Sequence, residues 1–273
     1  MWHDARVSSD GGTKATASAD SSEAESTTRT SRAPSKVLIA GAIAILVVAS
    51  IFAYVGLHSS VKTSTGANAA FSVRASGIPA SVPTALSYLM SLGPVVNKPA
   101  PGFNLVDQSG KRISLAQFRG KAVVLEFMDP NCVDICPIVS QEFIDANKDL
   151  GPAAKNAVFL AINVNRYHTD VASMQRYSQE HHLGDIPSWH FLTGNYSQLQ
   201  KSWAGYGVSV NAPSPTADVV HTSIAYFIDP QGIQRFVAFP MTDHTASGAA
   251  YLPAGPLAQW GLGISLVLKS LSS

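Results

Sequence analysis

The sequence predicts an α/β domain, a mixed sheet flanked by helices on both faces, with an N-terminal transmembrane helix in front of it. An uncharged apolar run occupies residues 37–57, strand-like and helix-like segments alternate from residue 99, and a hairpin followed by a helix closes the chain. Such alternation is typical of a sheet with helices on both faces. A domain of roughly 175 residues is long enough to bury a substantial core.

The apolar run Val37–Leu57 contains no charged residue, and the next charge is Lys62. At a rise of about 1.5 Å per residue, the run can cross a hydrocarbon core of roughly 30 Å. Basic residues are denser before the run than after it, which predicts a cytoplasmic N-terminus and an extracytoplasmic C-terminal domain. A buried core helix and a cleaved signal peptide are the alternatives. The long preceding region and the length of the run favour an uncleaved single-pass anchor.

The regions around the anchor have distinct compositions. Residues 1–36 are rich in Ser, Thr, Ala, Gly and Asp, which predicts a disordered cytoplasmic tail. Their acidic residues argue against a mitochondrial transit peptide, so we expect a bacterial plasma membrane. Residues 58–98 contain Ser, Gly, Ala and Pro and are predicted to form a linker with a short helix near Pro83–Leu92. The globular domain is predicted over residues 99–273.

Within residues 99–273, hydrophobic periodicity and turn residues predict the individual elements. Strands are predicted at residues 103–110, 122–128, 157–164, 189–192, 224–228 and 233–239. Helices are predicted at residues 137–150, 170–182, 197–206 and 256–271. The strands at 122–128 and 157–164 are predominantly apolar runs of strand-forming residues, which is typical of buried strands.

The charge of the chain bears on its partners. The formal net charge is +1, and the sequence has no arginine-rich run. Nucleic-acid-binding domains carry a basic excess or a basic stripe. The composition therefore predicts that nucleic acid is not a partner.

The only two cysteines of the chain lie in the segment Cys132-Val-Asp-Ile-Cys136-Pro137. They follow a predicted strand and open a predicted helix, whose free N–H groups and positive dipole end favour thiolates. On a helix, the spacing of four residues places both sulfurs on one face, with Cα atoms roughly 6 Å apart. This separation suits two ligands of one soft metal ion and also lies within the range for a disulfide.

Three interpretations of Cys132 and Cys136 follow. A structural disulfide would be natural outside the membrane, but it would close only a short loop and stabilise the fold little. A redox dithiol normally has a tighter, two-residue spacing. A thiolate metal site needs a third ligand from elsewhere in the chain.

His221 is the best candidate for that third ligand, because it precedes the predicted strand 224–228 where the chain approaches the end of strand 122–128. A lone histidine is more often structural than a ligand. The other histidines lie outside the domain or lack cysteine-like neighbours in sequence. Two soft thiolates with one imidazole select Cu(I), or less specifically zinc.

These segments together resemble the Sco/SenC family of membrane-anchored copper chaperones. The resemblance covers about residues 95–273, and it rests on Gly120–Lys121, Val123–Phe127, Cys132–Pro137 and His221–Gly232. It implies a thioredoxin-like fold in which Cys132, Cys136 and His221 bind copper as Cu(I) or Cu(II). It also implies delivery of copper to the dinuclear copper centre of cytochrome c oxidase, and in some members reduction of the acceptor's cysteines.

The sequence also departs from the family pattern. Val133 stands where many members have proline, and Met128–Asn131 replaces an aromatic, Thr-rich lead-in. Neither change removes a ligand. Thiol-disulfide enzymes of this fold carry a cis-proline before the strand that faces the cysteines, whereas residues 217–227 contain no proline.

The leading hypothesis is therefore a membrane-anchored copper metallochaperone that serves the copper-accepting subunit of cytochrome c oxidase. The alternative is an extracytoplasmic thiol-disulfide oxidoreductase that uses Cys132 and Cys136 as its redox pair. A peroxidase is less well supported, because its Pro/Thr/Arg setting is missing. A purely structural domain would leave the cysteine–histidine set unexplained.

Overall fold

The computed structural model describes residues 74–272, apart from the side chain of Asn97. The predicted tail 1–36 and the predicted transmembrane helix 37–57 lie outside the described residues. Within residues 74–272, no helix combines the length and the apolar character needed to cross a membrane.

Five α-helices are present in the described residues, and three short 3₁₀ turns accompany them. The helices are α1 (Thr84–Leu89), α2 (Ile135–Leu150), α3 (Val171–Glu180), α4 (Tyr196–Tyr206) and α5 (Ala254–Leu271). The 3₁₀ turns are Leu115–Phe118, Gly151–Asn156 and Leu183–Asp185.

The strands fall into one large sheet and three small hairpins. The large sheet contains β1 (Gly93–Pro99), β4 (Ala122–Met128), β5 (Ala157–Asn163), β6 (Trp189–Leu192), β9 (Ala225–Ile228) and β10 (Ile233–Ala238). The hairpins pair β2 (Asn104–Val106) with β3 (Arg112–Ser114), β7 (Val210–Asn211) with β8 (Val220–His221), and β11 (Asp243–His244) with β12 (Ala250–Tyr251).

The large sheet is mixed, with the strand order β1-β10-β9-β4-β5-β6. Strands β4, β5 and β6 run parallel, while β9 is antiparallel to both β4 and β10, and β10 is antiparallel to β1. Strands β4 and β5 are central, and every residue in them is buried. This confirms the predicted mixed sheet and explains why the sequences of both strands are predominantly apolar.

Each face of the sheet has its own hydrophobic core, and β4 contributes to both. Its side chains Val124 and Met128 join the core that includes residues of α1, α2, α3 and α5. Val123, Leu125 and Phe127 join the core that includes residues of α4 and of the β2–β3 hairpin. Alternate residues of a central strand face opposite sides of the sheet, which is why β4 contributes to both cores. Helices contribute residues to the core on each side, so they cover both faces of the sheet, as predicted.

The described fold begins earlier than the predicted domain boundary at residue 99. Strand β1 pairs with β10 inside the predicted linker 58–98, and α1 packs Leu86 into the core just before it. Gly93 and Pro94 made this segment resemble a linker. Strand β1 is at the edge of the sheet, where proline is tolerated because an edge strand has unpaired N–H positions.

Candidate metal centre

The two cysteines follow a tight turn at the end of β4. The side chain of Asp129 accepts a hydrogen bond from the N–H of Asn131 at 2.9 Å and another from the amide of Asn165 at 3.0 Å. The carbonyl of Asp129 accepts from the N–H of Cys132 at 3.1 Å. These bonds fix the chain direction between the central strand and Cys132.

Helix α2 begins at Ile135, so Cys136 lies in its first turn while Cys132 precedes the N-cap residue Asp134. The predicted common helical face is therefore not formed, because Cys132 is in the loop and not in the helix. The two cysteines nevertheless meet, since the backbone N–H of Cys136 is directed at the sulfur of Cys132. Both cysteines are free thiols.

The sulfur of Cys132 is the more acidic of the two. The hydrogen bond from the Cys136 thiol, together with backbone N–H groups of Cys136 and Asp134, lowers the pKa of Cys132 to about 7 against the effect of burial. The N–H of Cys136 lies 3.5 Å from the Cys132 sulfur. A helix N-terminus supplies such donors to an anion. At neutral pH much of the Cys132 population therefore carries a thiolate.

Cys136 holds its proton more tightly. Its hydrogen bond to Cys132 and its burial raise its pKa well above the ordinary value of 9.0. Only 2% of Cys136 is exposed to solvent, whereas Cys132 is half-buried. The pair thus combines an accessible thiolate with a buried thiol beneath it.

His221 lies on β8, where it is opposite Val210 of β7. Its Nδ1 is 3.0 Å from the carbonyl oxygen of Thr222, so Nδ1 carries the proton and Nε2 keeps a free lone pair. Burial lowers the pKa of His221, although the Thr222 bond and the charge of Asp129 oppose the shift. A neutral imidazole is the form that binds a metal ion.

Asp129 is the common electrostatic neighbour of the three predicted ligands. Its charge acts on both thiols and on His221, raising the pKa of each. Strand β9, which follows His221 in the chain, pairs antiparallel with β4 at Leu125 and Tyr226.

The structure unites only part of the predicted ligand set. Cys132 and Cys136 are in contact, whereas His221 hydrogen-bonds to its own backbone neighbour Thr222. In the part of the chain that is described, no three His, Cys, Asp or Glu side chains are grouped closely enough to hold a metal ion.

The loop between β7 and β8 is held by the loop that follows β5. The hydroxyl of Tyr167 donates to the carbonyl of Pro213 at 3.4 Å, and Nε2 of His168 contacts the carbonyl of Pro215 at 3.3 Å. Both bonds are exposed to solvent. They restrain the connection that carries His221.

Sequence analysis assigned no role to His244, because that histidine has no cysteine-like neighbours in sequence. His244 is the second residue of β11. Its Nε2 is 3.0 Å from the carboxylate of Asp134, which lies between the two cysteines in the sequence. The two residues are 110 positions apart in the chain, so no local spacing could have indicated this contact. Asp129 fixes the turn that leads to Cys132, and the only sequence signal for this role was its position directly after β4 in the turn Asp129-Pro-Asn.

Comparison with known proteins gives consistent matches. The SCO1/SenC family model matches residues 96–251. The mitochondrial SCO2 homologue of Homo sapiens is 30% identical over 139 residues, which cover 48% of this chain and 50% of that protein. The SCO1 homologue of Bacillus subtilis (strain 168) is 26% identical over 133 residues, covering 48% of this chain and 68% of that protein. The chain spans about half the length of the mammalian relatives that it matches.

Solved structures share the fold. Copper-bound ScoI of Bradyrhizobium japonicum superposes with a TM-score of 0.50 at 23% identity, covering 63% of this chain and 99% of that chain. A SCO1/SenC family lipoprotein of Bacillus anthracis str. Ames gives a TM-score of 0.51 at 20% identity, covering 66% and 98%. At these identities the likeness establishes the fold of the domain.

Proposed function

Because this chain belongs to the SCO1/SenC family, we propose that it is a copper metallochaperone whose cargo is bound by Cys132, Cys136 and His221. The observation that carries the proposal is the meeting of the half-buried Cys132 and the buried Cys136 at the start of α2, where the N–H of Cys136 is directed at the Cys132 sulfur. The proposed acceptor is the copper-accepting subunit of cytochrome c oxidase. The proposed location is the bacterial plasma membrane, with Val37–Leu57 as a single-pass anchor and the domain outside.

The donor set fits copper. Two thiolates are soft ligands that favour Cu(I), and a neutral imidazole is also a good ligand for Cu(II). Cys136 binds as a thiolate, so copper binding must displace its proton, as is general for thiol ligands. The copper-bound relative from Bradyrhizobium japonicum supports the same cargo for this chain.

The described arrangement also indicates how copper would be loaded and released. Cys132 is accessible and Cys136 is in contact with it, so these two sulfurs provide the first two bonds. His221 lies on the short β7–β8 hairpin and would add the third bond after its Nε2 approaches the sulfurs. The same exposed side of the site would admit an acceptor's thiolates, and copper would pass to them by ligand exchange.

Anaerobic copper titration of the full-length reduced protein tests the proposal. We expect about one copper per chain, thiolate-to-Cu(II) charge-transfer absorption, and a sharp loss of Cu(II) affinity in His221→Ala. His182→Asn is the matched control, because His182 is exposed and has a left-handed φ of 54° that asparagine tolerates. Wild-type affinity and spectrum in His221→Ala would refute the three-ligand site.

A second candidate function is thiol-disulfide exchange with an extracytoplasmic partner, and the unequal acidity of the two thiols favours it. The Cys132 thiolate would attack a partner disulfide, forming a mixed disulfide and releasing one partner thiolate. Cys136 would then lose its proton and attack the Cys132 sulfur. This releases the second partner thiolate and leaves a Cys132–Cys136 disulfide, so two electrons pass from the dithiol to the partner.

Copper-free reduction of a model disulfide separates the two functions. A thiol-disulfide oxidoreductase would retain its rate in His221→Ala and lose it in Cys132→Ser. A chaperone without this activity would show rates no faster than a simple dithiol in all variants, while still binding copper. Both results can be obtained from the same protein preparations.

A further inference from the structure

Three segments that lie together in the fold contain no charged residue. They are residues 75–97, which include α1 and most of β1, residues 236–242 at the end of β10, and residues 245–268, which include most of α5. Charged residues make up 14% of the whole chain, and many positions in these three segments are exposed. Because a surface that faces water normally carries Asp, Glu, Lys and Arg, the absence of charge over three segments requires a physical reason.

Met90 connects the three segments. It follows α1, and its carbonyl accepts a hydrogen bond from the N–H of Phe239 at 3.0 Å. Its sulfur lies so close to Gly263 of α5 that a Cβ at that glycine would collide with it. Helices α1 and α5 are also in direct contact. We call the surface formed by α1, Phe239 and α5 the uncharged face.

The uncharged face exposes large apolar side chains. Tyr88 is 44% exposed, Phe239 is 46% exposed and Leu262 is 40% exposed. A single exposed apolar residue is ordinary on a protein surface, whereas several on one face mark an interaction surface. These residue types suit a bilayer interface, where Tyr lies at the level of the headgroups and Leu and Phe enter the acyl boundary. No ionised side chain of the face has to leave water there, so the cost of burying a charge does not arise.

The start of the described fold lies next to the uncharged face. The guanidinium of Arg74 donates to the carbonyl oxygens of Pro79 and Val82, directly before α1. Residues 58–73 separate Arg74 from the proposed anchor Val37–Leu57. Even a fully extended chain of that length reaches no further than about 55 Å. The anchor therefore keeps the face at a high effective concentration near lipid, so weak apolar contacts suffice for docking.

We propose that the uncharged face docks on the bilayer that holds the anchor, with Tyr88, Phe239 and Leu262 entering the lipid interface. The inference rests on the proposed anchor and makes no use of the copper site. Phe239 follows Ala238, which pairs with Ala225 at the start of β9, and β9 begins at the end of the sheet where β4 ends. Docking would therefore hold the cysteine end of the sheet close to the bilayer.

Photolabelling from the lipid tests the docking directly. The full-length, copper-free protein is reconstituted in phosphatidylcholine vesicles that contain a lipid with a diazirine at the top of its acyl chain, and adducts are located by mass spectrometry after illumination. We expect adducts on the peptides that contain Tyr88 and Leu262, at least about threefold above the peptide that contains Tyr196. Tyr196 is the matched reference, because it is 41% exposed but belongs to α4, on the opposite face of the sheet. Labelling of Val37–Leu57 in the same sample tests the anchor.

A charge placed on the uncharged face should release it from the bilayer. Leu262→Glu should lower labelling of the Tyr88 peptide about threefold or more, because burial of one leucine favours the docked state by about tenfold or more. Tyr196→Glu adds the same charge on the opposite face and should leave that labelling unchanged.

The outcomes separate this inference from the anchor on which it rests. If Val37–Leu57 is labelled but the Tyr88 and Tyr196 peptides are labelled equally, the docking is overturned and the anchor stands. The same result is expected if a protein partner or a second copy of the chain covers the face. Undiminished labelling of the Tyr88 peptide in Leu262→Glu would also overturn the docking. Absence of adducts on Val37–Leu57 would refute the anchor and this inference with it.

Discussion

The carboxyl group of Glu126 on β4 acts electrostatically on that of Glu142 on α2, inside the core that α2 forms with the sheet. Glu126 is 1% exposed and Glu142 is 0% exposed. One oxygen of Glu126 and both oxygens of Glu142 have no hydrogen-bond partner among the described residues. Burial raises the pKa of Glu126 to about 8, and burial followed by the charge of Glu126 raises that of Glu142 well above 4.5.

The pair makes stability depend on pH. Because the pKa of Glu126 is about 8 in the folded state and ordinarily 4.5, the folded state binds more protons between these values. The protonated Glu126 therefore stabilises the folded state at low pH, and this contribution is lost as pH rises to about 8. The free energy of unfolding should fall by up to about 1.4 kcal/mol per pH unit over this range. Glu126→Gln should flatten this decline in urea unfolding, because the amide does not ionise.

A matched control separates this effect from general acid–base behaviour of the protein. Glu180 is an exposed residue at the end of α3, so Glu180→Gln should leave the decline in unfolding free energy with pH as steep as in the wild type. Glu142→Gln should act in the same direction as Glu126→Gln. A wild-type protein whose unfolding free energy rises across this pH range would contradict the assignment of protonated buried acids.

The packing of α5 against α2 depends on a glycine. A Cβ at Gly261 would lie 2.6 Å from the Cβ of Asp145 and 3.2 Å from the backbone nitrogen of Ala146. Gly261→Ala should therefore push the two helices apart and lower the free energy of unfolding by about 1–3 kcal/mol. Gly255 is in the same helix with open space around it, so Gly255→Ala should be neutral or stabilise slightly. Chemical denaturation of both variants measures the difference.

Sequence patterns predicted the centre of the fold better than its edge. Strands β4 and β5 were identified because each is a predominantly apolar run, as is typical of buried parallel strands. Most of strand β1 was taken as part of the linker 58–98, because Gly93 and Pro94 are linker-like residues. Only its tertiary pairing with β10 makes it a strand, and a pairing across so many residues leaves no local signal.

The candidate site likewise has features that the local sequence predicts and features that only the tertiary structure creates. The cysteine pair was evident from spacing, because its members are four residues apart and lie next to a helix start. The helix begins at Ile135, which leaves Cys132 outside it, since Asp134 takes a backbone conformation with φ −105° and ψ −102° that is not helical. The contact of Asp134 with His244 depends on a hairpin docking from the far end of the chain, which sequence spacing does not encode.

The hydroxyl of Tyr167 should support copper binding indirectly. Tyr167→Phe removes the hydrogen bond to the carbonyl of Pro213 and loosens the loop that leads to His221. If His221 is a copper ligand, Cu(II) affinity should fall about threefold, in line with one modest hydrogen bond. Tyr196→Phe is the matched control, because Tyr196 uses its ring against Trp203 and Arg166. Equal losses in both variants would show that the loop bond is irrelevant.

Cys132 should react before Cys136, with a pH profile set by its own thiol. Because the pKa of Cys132 is lowered to about 7, its alkylation rate should rise with pH and level off above about 7, while Cys136 stays largely unmodified. Cys136→Ala removes the main hydrogen bond to the Cys132 sulfur, so the profile should move to higher pH. Ser140→Ala is the control, because the hydroxyl of Ser140 donates to the backbone carbonyl of Cys136. Mass spectrometry of the alkylated peptides identifies the site, and preferential modification of Cys136 would invert the assigned roles.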